Sequence, residues 1–291
     1  MDGEANIESN VSGTGTINTE NGGIVRVFGA IDGITHTGDD LSELQLYGTV
    51  GNITNESGKM ELEECCDGGA NLTGTLTNNS LGKIKSTNQI EVGVGTHLAN
   101  DGLVEGDLMV ASGGSLDGTG TIIGDLYLAD GGRYINDGTT GTFDVFGDLT
   151  LEGLMQFEVA GLDSSLFEYD QFLIQDDLFT DILEGNAFLD GTIGVLFLDN
   201  FMPKDGDFLD LIIAEVINDI NLSFIFDLDQ IMGLNYSYEV MAYNGNDVLR
   251  LSFLDDPVSV PAPAAIWLFG IGMVGLGFAR RKQRSDIPEN N

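Results

Sequence analysis

The chain has 291 residues, room for one large or two ordinary domains. Lys plus Arg total 11 against 47 Asp plus Glu, and the net charge of −36 repels nucleic acid and anionic lipid, which excludes a DNA- or RNA-binding role. Gly is abundant at 41 and Pro scarce at 5, while 42% of residues are hydrophobic, so the chain reads as short strands and many turns rather than a disordered acidic tail.

The N-terminus, MDGEANIESN, has neither a basic n-region nor an apolar h-region, so no secretory signal peptide is visible. From there to about residue 160 the sequence repeats. Gly-Asp-Leu recurs at Gly106–Leu108, Gly124–Leu126 and Gly147–Leu149; GDLMVASGGSL and GDLYLADGGRY lie eighteen residues apart, and GDLTLEGLMQF comes after a further twenty-three. Gly-Thr followed by β-branched or alternating residues begins at Gly13, Gly48, Gly74, Gly95, Gly118 and Gly141, with steps of 21, 23 and 23 from Gly74. A period near twenty is that of a solenoid coil. Runs such as Asp107–Val110 and Thr142–Phe146 fit strands with one inward face, and Gly-Gly, Asn-Gly and Asp-Gly pairs fit corners. The expectation is an all-β parallel β-helix (β-solenoid) over residues 1–160, with inward Leu, Ile and Val columns and polar columns of Asn and Thr. A β-sandwich with irregular turns is the alternative.

Residues 161–254 change character. Gly thins out and Phe and Leu rise (FLIQDDLF, DFLDLIIAEV, LSFIFDLDQI), which suits a β-rich, aromatic cap closing the exposed strand edge of the solenoid. Residues 255–263 form a linker. Ala264 to Ala279 is sixteen residues without a charge. As a helix it spans about 24 Å, slightly less than a hydrocarbon core of about 30 Å. Trp267 sits near one end, and Arg280, Arg281, Lys282 and Arg284 stand at the other, in the tail 280–291. These four are more than a third of all the basic residues, and by the positive-inside rule they hold that end in the cytoplasm with the body outside. A transmembrane helix over 264–279 is therefore expected.

Val260, Pro261, Ala262, Pro263, Ala264 and Ala265, then Trp267, a glycine-spaced apolar helix and Arg280-Arg281-Lys282, together resemble a PEP-CTERM sorting signal. Ala262 stands where that motif usually has Glu; the small apolar variant resembles the same family. The resemblance implies processing by exosortase, an integral-membrane cysteine protease or transpeptidase, after passage through export machinery. The protein would sit transiently in the inner membrane, then at the surface or outside cells that make exopolysaccharide and biofilm. Because such a signal presupposes export, the sequence is expected to lack its first part, with export through the C-terminal anchor alone as the alternative. The segments Tyr169 to Ile174, Leu189 to Ile193 and Phe201 to Phe208 resemble the last coils and cap of bacterial surface β-helix proteins of the autotransporter-repeat type.

The sequence offers little for catalysis. Asp39-Asp40 and Asp176-Asp177 are adjacent carboxylates that would point to opposite faces of a strand, whereas glycoside hydrolysis needs two that converge. Arg26, Lys59, Lys83, Lys85 and Arg133 fall in no lyase motif, and no phosphate loop occurs. His36 and His97 are isolated and have no zinc spacing. Cys65-Cys66 form either a vicinal disulfide or two thiols, with no catalytic role expected. Asp-Gly corners at Asp32, Asp67, Asp101, Asp117, Asp130 and Asp137 allow weak Ca²⁺ binding, although solvated acidic surface is the plainer reading. Tyr127, Tyr134 and Tyr169 either stack on sugars or pack in the interior. The expected function is thus a non-enzymatic, surface-sorted structural or adhesive protein of an exopolysaccharide matrix, with no cofactor and no metal centre. The alternative is a β-helix polysaccharide lyase or glycosidase with the same tail.

Overall fold

A computed structural model describes residues 3–63, 71–136, 138–175, 185–226 and 234–255. Among them the regular structure is strand, apart from one 3-10 turn at Ser164–Leu166. The strands are short because the chain turns a corner every few residues. Ile90–Val92 is followed by His97–Asn100 and Leu103–Glu105; one turn later come Leu108–Val110, Ser115–Asp117 and Thr121–Ile123. Each strand lies parallel to its counterpart, with Ile90 on Leu108, His97 on Ser115 and Leu103 on Thr121. Three parallel walls, the first, second and third in that order, surround one interior.

The second and third walls continue upstream. Val11–Thr19, Ile31–Gly38 and the start of Ile53–Leu62 stack in the second wall; Glu4–Ile7, Ile24–Val27 and Glu43–Leu46 stack in the third. Two long strands, Ile53–Leu62 and Thr75–Ser86, bend through both walls, with a register shift after Asn55. Side chains alternate along each strand, so Leu98, Leu116, Tyr134, Met155 and Ile193 form one inward column and are 0–1% exposed.

The Gly-Asp-Leu repeat marks one corner. Leu108, Leu126 and Leu149 are paired in register and fully buried. The preceding glycines, Gly106, Gly124 and Gly147, have φ of 136°, 144° and 159°. A Cβ on Gly124 would lie 2.6 Å from the Gly106 carbonyl, so the glycines are needed for one coil to sit on the next. Between them Asp107 Oδ1 accepts from Asp125 N (3.0 Å), Asp125 Oδ1 from Asp148 N (2.9 Å) and Asp148 Oδ1 from Asn186 N (2.9 Å). All three letters of the repeat thus have a physical role: clearance, corner amide satisfaction and core.

The Gly-Thr spacing is different. Gly74 and Gly95 precede second-wall strands, whereas Gly118 and Gly141 precede the third-wall strands Thr121–Ile123 and Thr142–Phe146. The steps of 21, 23 and 23 therefore mix two corners. The coil lengths read from the first wall (Ile90, Leu108, Leu126, Leu149, Ala187, Ile217) are 18, 18, 23, 38 and 30 residues.

Parallel pairing runs through residue 160 and on to Ser223–Phe226. An antiparallel hairpin closes the stack. Asn246–Asp255 pairs antiparallel with Phe208–Ala214 on one side and with Leu234–Tyr243 on the other. The hairpin turns on Asn244 and Gly245, both at positive φ (55° and 92°), as a two-residue turn requires. Arg250 clamps it to the last coil, with Nε donating to Asp210 Oδ1 (2.6 Å), Nη2 donating to Oδ2 (2.8 Å) and the guanidinium 3.9 Å from the Phe208 ring centroid. The aromatic residues concentrate toward this end: Tyr134, Phe143, Phe157 and Phe172 pack edge-to-face or stacked inside, and Phe197 packs on Phe201 and Phe253.

Gly124→Ala is expected to destabilise the body by about 1–3 kcal/mol, since both its φ and the Gly106 backbone oppose a Cβ. Gly206→Ala, at a positive-φ position with open space around the Cβ, bears the backbone cost alone and should lose less. Urea unfolding of the two variants checks the order.

Candidate functional site

The residues assigned to sorting, Val260 to Ala265, Trp267 and the basic cluster Arg280, Arg281, Lys282 and Arg284, lie outside the described residues, as do the apolar segment 264–279 and Cys65-Cys66. Among the described residues no helix is long and apolar enough to cross a membrane.

Within the body the functional polar groups form three settings. The first is an interior column in the second wall. Thr19 Oγ1 lies 3.0 Å from His36 Nε2, and His36 Nδ1 lies 2.7 Å from Asn55 Oδ1. Asn55 Nδ2 and Asn78 Oδ1 are 2.9 Å apart, and Asn78 Nδ2 donates to Asn100 Oδ1 (2.8 Å). His36, Asn55, Asn78 and Asn100 are 0% exposed. Burial pushes the His36 imidazole below its ordinary value. His36 is a rung of this column, closed to solvent.

The second setting is a buried acidic pair where the coil lengthens. Asp170 Oδ1 accepts from Gly141 N (3.0 Å) and Asn136 Nδ2 (3.1 Å), and its Oδ2 accepts from Glu158 N (2.8 Å). Glu158 Oε2 accepts from Gly138 N (2.8 Å). Both residues are nearly inaccessible, at 1% and 3% exposed. Burial raises Asp170 to about 7, outweighing the N–H donors that favour its anion.

The third setting is the outer surface. Asp39 of the Asp39-Asp40 pair accepts from Asn21 N (2.8 Å) and from the Ser42 hydroxyl, and these bonds hold its carboxyl below the usual range. Asp176-Asp177 lies outside the described residues. Of the Asp-Gly corners, Asp32 accepts from Asn52 N (2.7 Å) and Nδ2 (2.9 Å), which lowers its pKa, and Asp101 accepts from Thr119 N (3.1 Å). Asp130 is exposed, and Asp67 and Asp137 lie outside the described residues. Among the described residues no three His, Cys, Asp or Glu side chains converge as metal ligands. Tyr134 and Tyr169 are buried; Tyr127 faces outward and donates to Glu152. The third wall gathers Arg26, Lys59 and Lys83, paired with Glu4 (3.1 Å), Glu43 (2.6 Å) and Glu105 respectively. A groove of about 530 Å³ on this wall is lined by Asp101, Glu105, Ile123, Asp144 and Phe146 among others. Asp144 there is raised by burial, against a bond from Gln175 Nε2 (3.0 Å).

The second wall holds a group that sequence reasoning missed. His97 faces outward, with Nδ1 2.8 Å from Ser115 Oγ and Nε2 3.2 Å from Asp117 Oδ2. The three are separated by 18 and 2 residues in sequence, a spacing that signals nothing until the 18-residue coil is recognised.

The described residues define the class of protein: an acidic, all-β body of stacked parallel strands ended by a hairpin. Beyond the hairpin, the PEP-CTERM protein-sorting motif matches residues 259–282, so the chain carries that signal at its C-terminus. The motif supports an exported protein sorted by exosortase, a membrane enzyme. No curated protein matches the chain.

The two buried titrating groups act in opposite senses. His36, lowered in the fold, contributes stability that is complete above the ordinary imidazole value near 6.5 and is lost as pH falls. Asp170, raised to about 7, contributes stability that is complete below the ordinary value of 3.8 and is lost as pH rises to about 7. The stability of the parent minus that of Asp170→Asn should therefore be larger at pH 4.5 than at pH 8. Denaturant unfolding at the two pH values checks the sign.

Proposed function

We propose that this chain is an exported, surface-sorted parallel β-solenoid whose body is a structural or adhesive element of an exopolysaccharide or biofilm matrix. The sorting signal carries the reading: a Pro-x-Pro segment, an apolar stretch and a basic end in fixed order at the C-terminus. Exosortase-type processing follows transient residence in the inner membrane with the body outside, and the processed body reaches the cell surface or medium. The in-register stacking of parallel strands supports the solenoid assignment. The aromatic-rich C-terminal coils and hairpin are consistent with the autotransporter-repeat likeness.

The mechanism is display. A rigid stack presents a surface of high negative charge, which needs no cofactor and no bond-breaking chemistry. Such a surface takes divalent cations weakly and so bridges to anionic polysaccharide. The second reading, a carbohydrate-active enzyme, draws on the three carboxylates of the third-wall groove. Against it, Glu105 is paired with Lys83, Asp101 is bonded to Thr119 and Asp144 to Gln175. Carboxylates engaged in the fold support display over glycoside chemistry.

Intact-mass analysis of the protein recovered from its host's surface or medium tests the reading. The expected species ends near Pro263. A full-length C-terminus retained in the inner membrane overturns exosortase processing. A tag fused after Asn291 and found outside the cell overturns the orientation.

A further inference from the structure

We infer that His97, Ser115 and Asp117 form a serine-nucleophile centre for hydrolysis of short acyl esters, an activity beyond the display role. Strand alternation sets the geometry. Ser115 and Asp117 project outward on either side of Leu116, which is fully buried, and His97 projects outward beside fully buried Leu98. Parallel register sets His97 directly against Ser115 and sets Ala99 against Asp117, which places the imidazole within reach of both outward side chains of the next coil.

The chemistry of the partners selects the tautomer of the neutral ring. An ionised carboxylate only accepts hydrogen bonds, so the nitrogen at Asp117, Nε2, carries the N–H of the neutral ring. Nδ1 is then a lone pair facing the Ser115 hydroxyl at 2.8 Å, the arrangement of a general base on a nucleophile. The two ring nitrogens exchange the roles they have in serine proteases, while base contact and orienting contact are both kept. His36 shows how specific this is. Its ring sits between Thr19 and Asn55, fully buried, with no carboxylate partner and no access for substrate. The His97 side chain is 33% exposed.

On the other side of Ser115, one strand further, is Arg133. Neighbouring strands are about 4.8 Å apart, so exposed Arg133 is within side-chain reach of Ser115 and is the cation to test for stabilising charge that develops there. Small residues flank the centre, with Thr75 opposite His97 and Ala99 opposite Asp117. These small flanking residues suit a short acyl group, such as acetyl, on a hydroxyl of an extended polymer.

The steps balance without a cofactor. Ser115 Oγ bonds to the ester carbonyl carbon as its proton passes to His97 Nδ1. The carbon–oxygen bond to the alcohol then breaks, and the alcohol leaves with that proton. Water attacks the acyl-Ser115, giving a proton to His97; the acid leaves and Ser115 recovers its hydrogen. Asp117 holds the imidazolium in both halves.

The test uses the full chain in detergent with p-nitrophenyl acetate. Turnover should fall about a hundredfold in His97→Gln, and Ser115→Ala should lose both turnover and the acetyl mass increase that peptide mapping assigns to Ser115. Asp117→Asn should lower the rate less. Far-UV circular dichroism shows that each variant retains the fold. p-Nitrophenyl octanoate should be hydrolysed more slowly than the acetate. Parent-like hydrolysis by folded Ser115→Ala, or acetyl found on lysine or tyrosine instead of Ser115, overturns the inference. Labelling of the folded parent with a fluorophosphonate gives an independent decision: modification at Ser115 supports the site and its absence there overturns it. None of these outcomes bears on the C-terminal processing on which the sorting reading stands.

Discussion

In-register stacking of one coil on the next is the constraint on which the rest of the structure depends. Parallel strands about 4.8 Å apart place each residue against its counterpart a coil away, so whatever one coil presents, the next must accept. Where the chain turns with its backbone against the previous corner, only glycine fits, and Gly106, Gly124 and Gly147 succeed one another there. A corner leaves amides outside the sheet ladders, and Asp107, Asp125 and Asp148 each accept the amide of the coil above. Inside, leucine sits on leucine. Where asparagine faces inward, its amide has both a donor and an acceptor, and a column of them satisfies itself.

The same constraint governs charge. Stacked like charges repel across a strand spacing, so a body this acidic must either spread its carboxylates over corners and solvent or pair them. Both are seen. Corner carboxylates such as Asp107, Asp125 and Asp148 are tied to backbone amides, while three cations of the third wall, Arg26, Lys59 and Lys83, each meet a carboxylate. At the hairpin, Arg250 and Asp210 do the same across an antiparallel contact. The buried pair Asp170 and Glu158 is the exception, and it occurs where the coil expands and several amides need acceptors at once.

How far the sequence reveals this depends on the range of each signal. Gly-Asp-Leu is legible because all three residues act at one corner of successive coils. Gly-Thr misleads because the pair suits more than one corner, so equal spacing in the chain conceals a change of wall. The sorting tail is legible because its elements succeed one another in linear order. The columns of Asn55, Asn78 and Asn100 are readable only as a type, since which asparagines face inward depends on register. The His97, Ser115 and Asp117 group is illegible for the same reason: its members are joined by the pitch of the coil. Coil lengths of 23, 38 and 30 residues after Leu126 have no fixed period to find.

The C-terminal hairpin has a consequence for growth. Asn246–Asp255 runs antiparallel against Phe208–Ala214, so a strand of the hairpin, rather than that of a further coil, occupies the next place in the third wall. The regular stretch from Ile90 to Ile123 is different, because its second unit, Leu108 to Ile123, receives three strands from the coil before it and offers three to the coil after it. Duplicating an 18-residue unit within it would lengthen the body by about one strand spacing, near 4.8 Å, while leaving both ends intact. The length of the stack is therefore set by how many such units the middle of the chain contains.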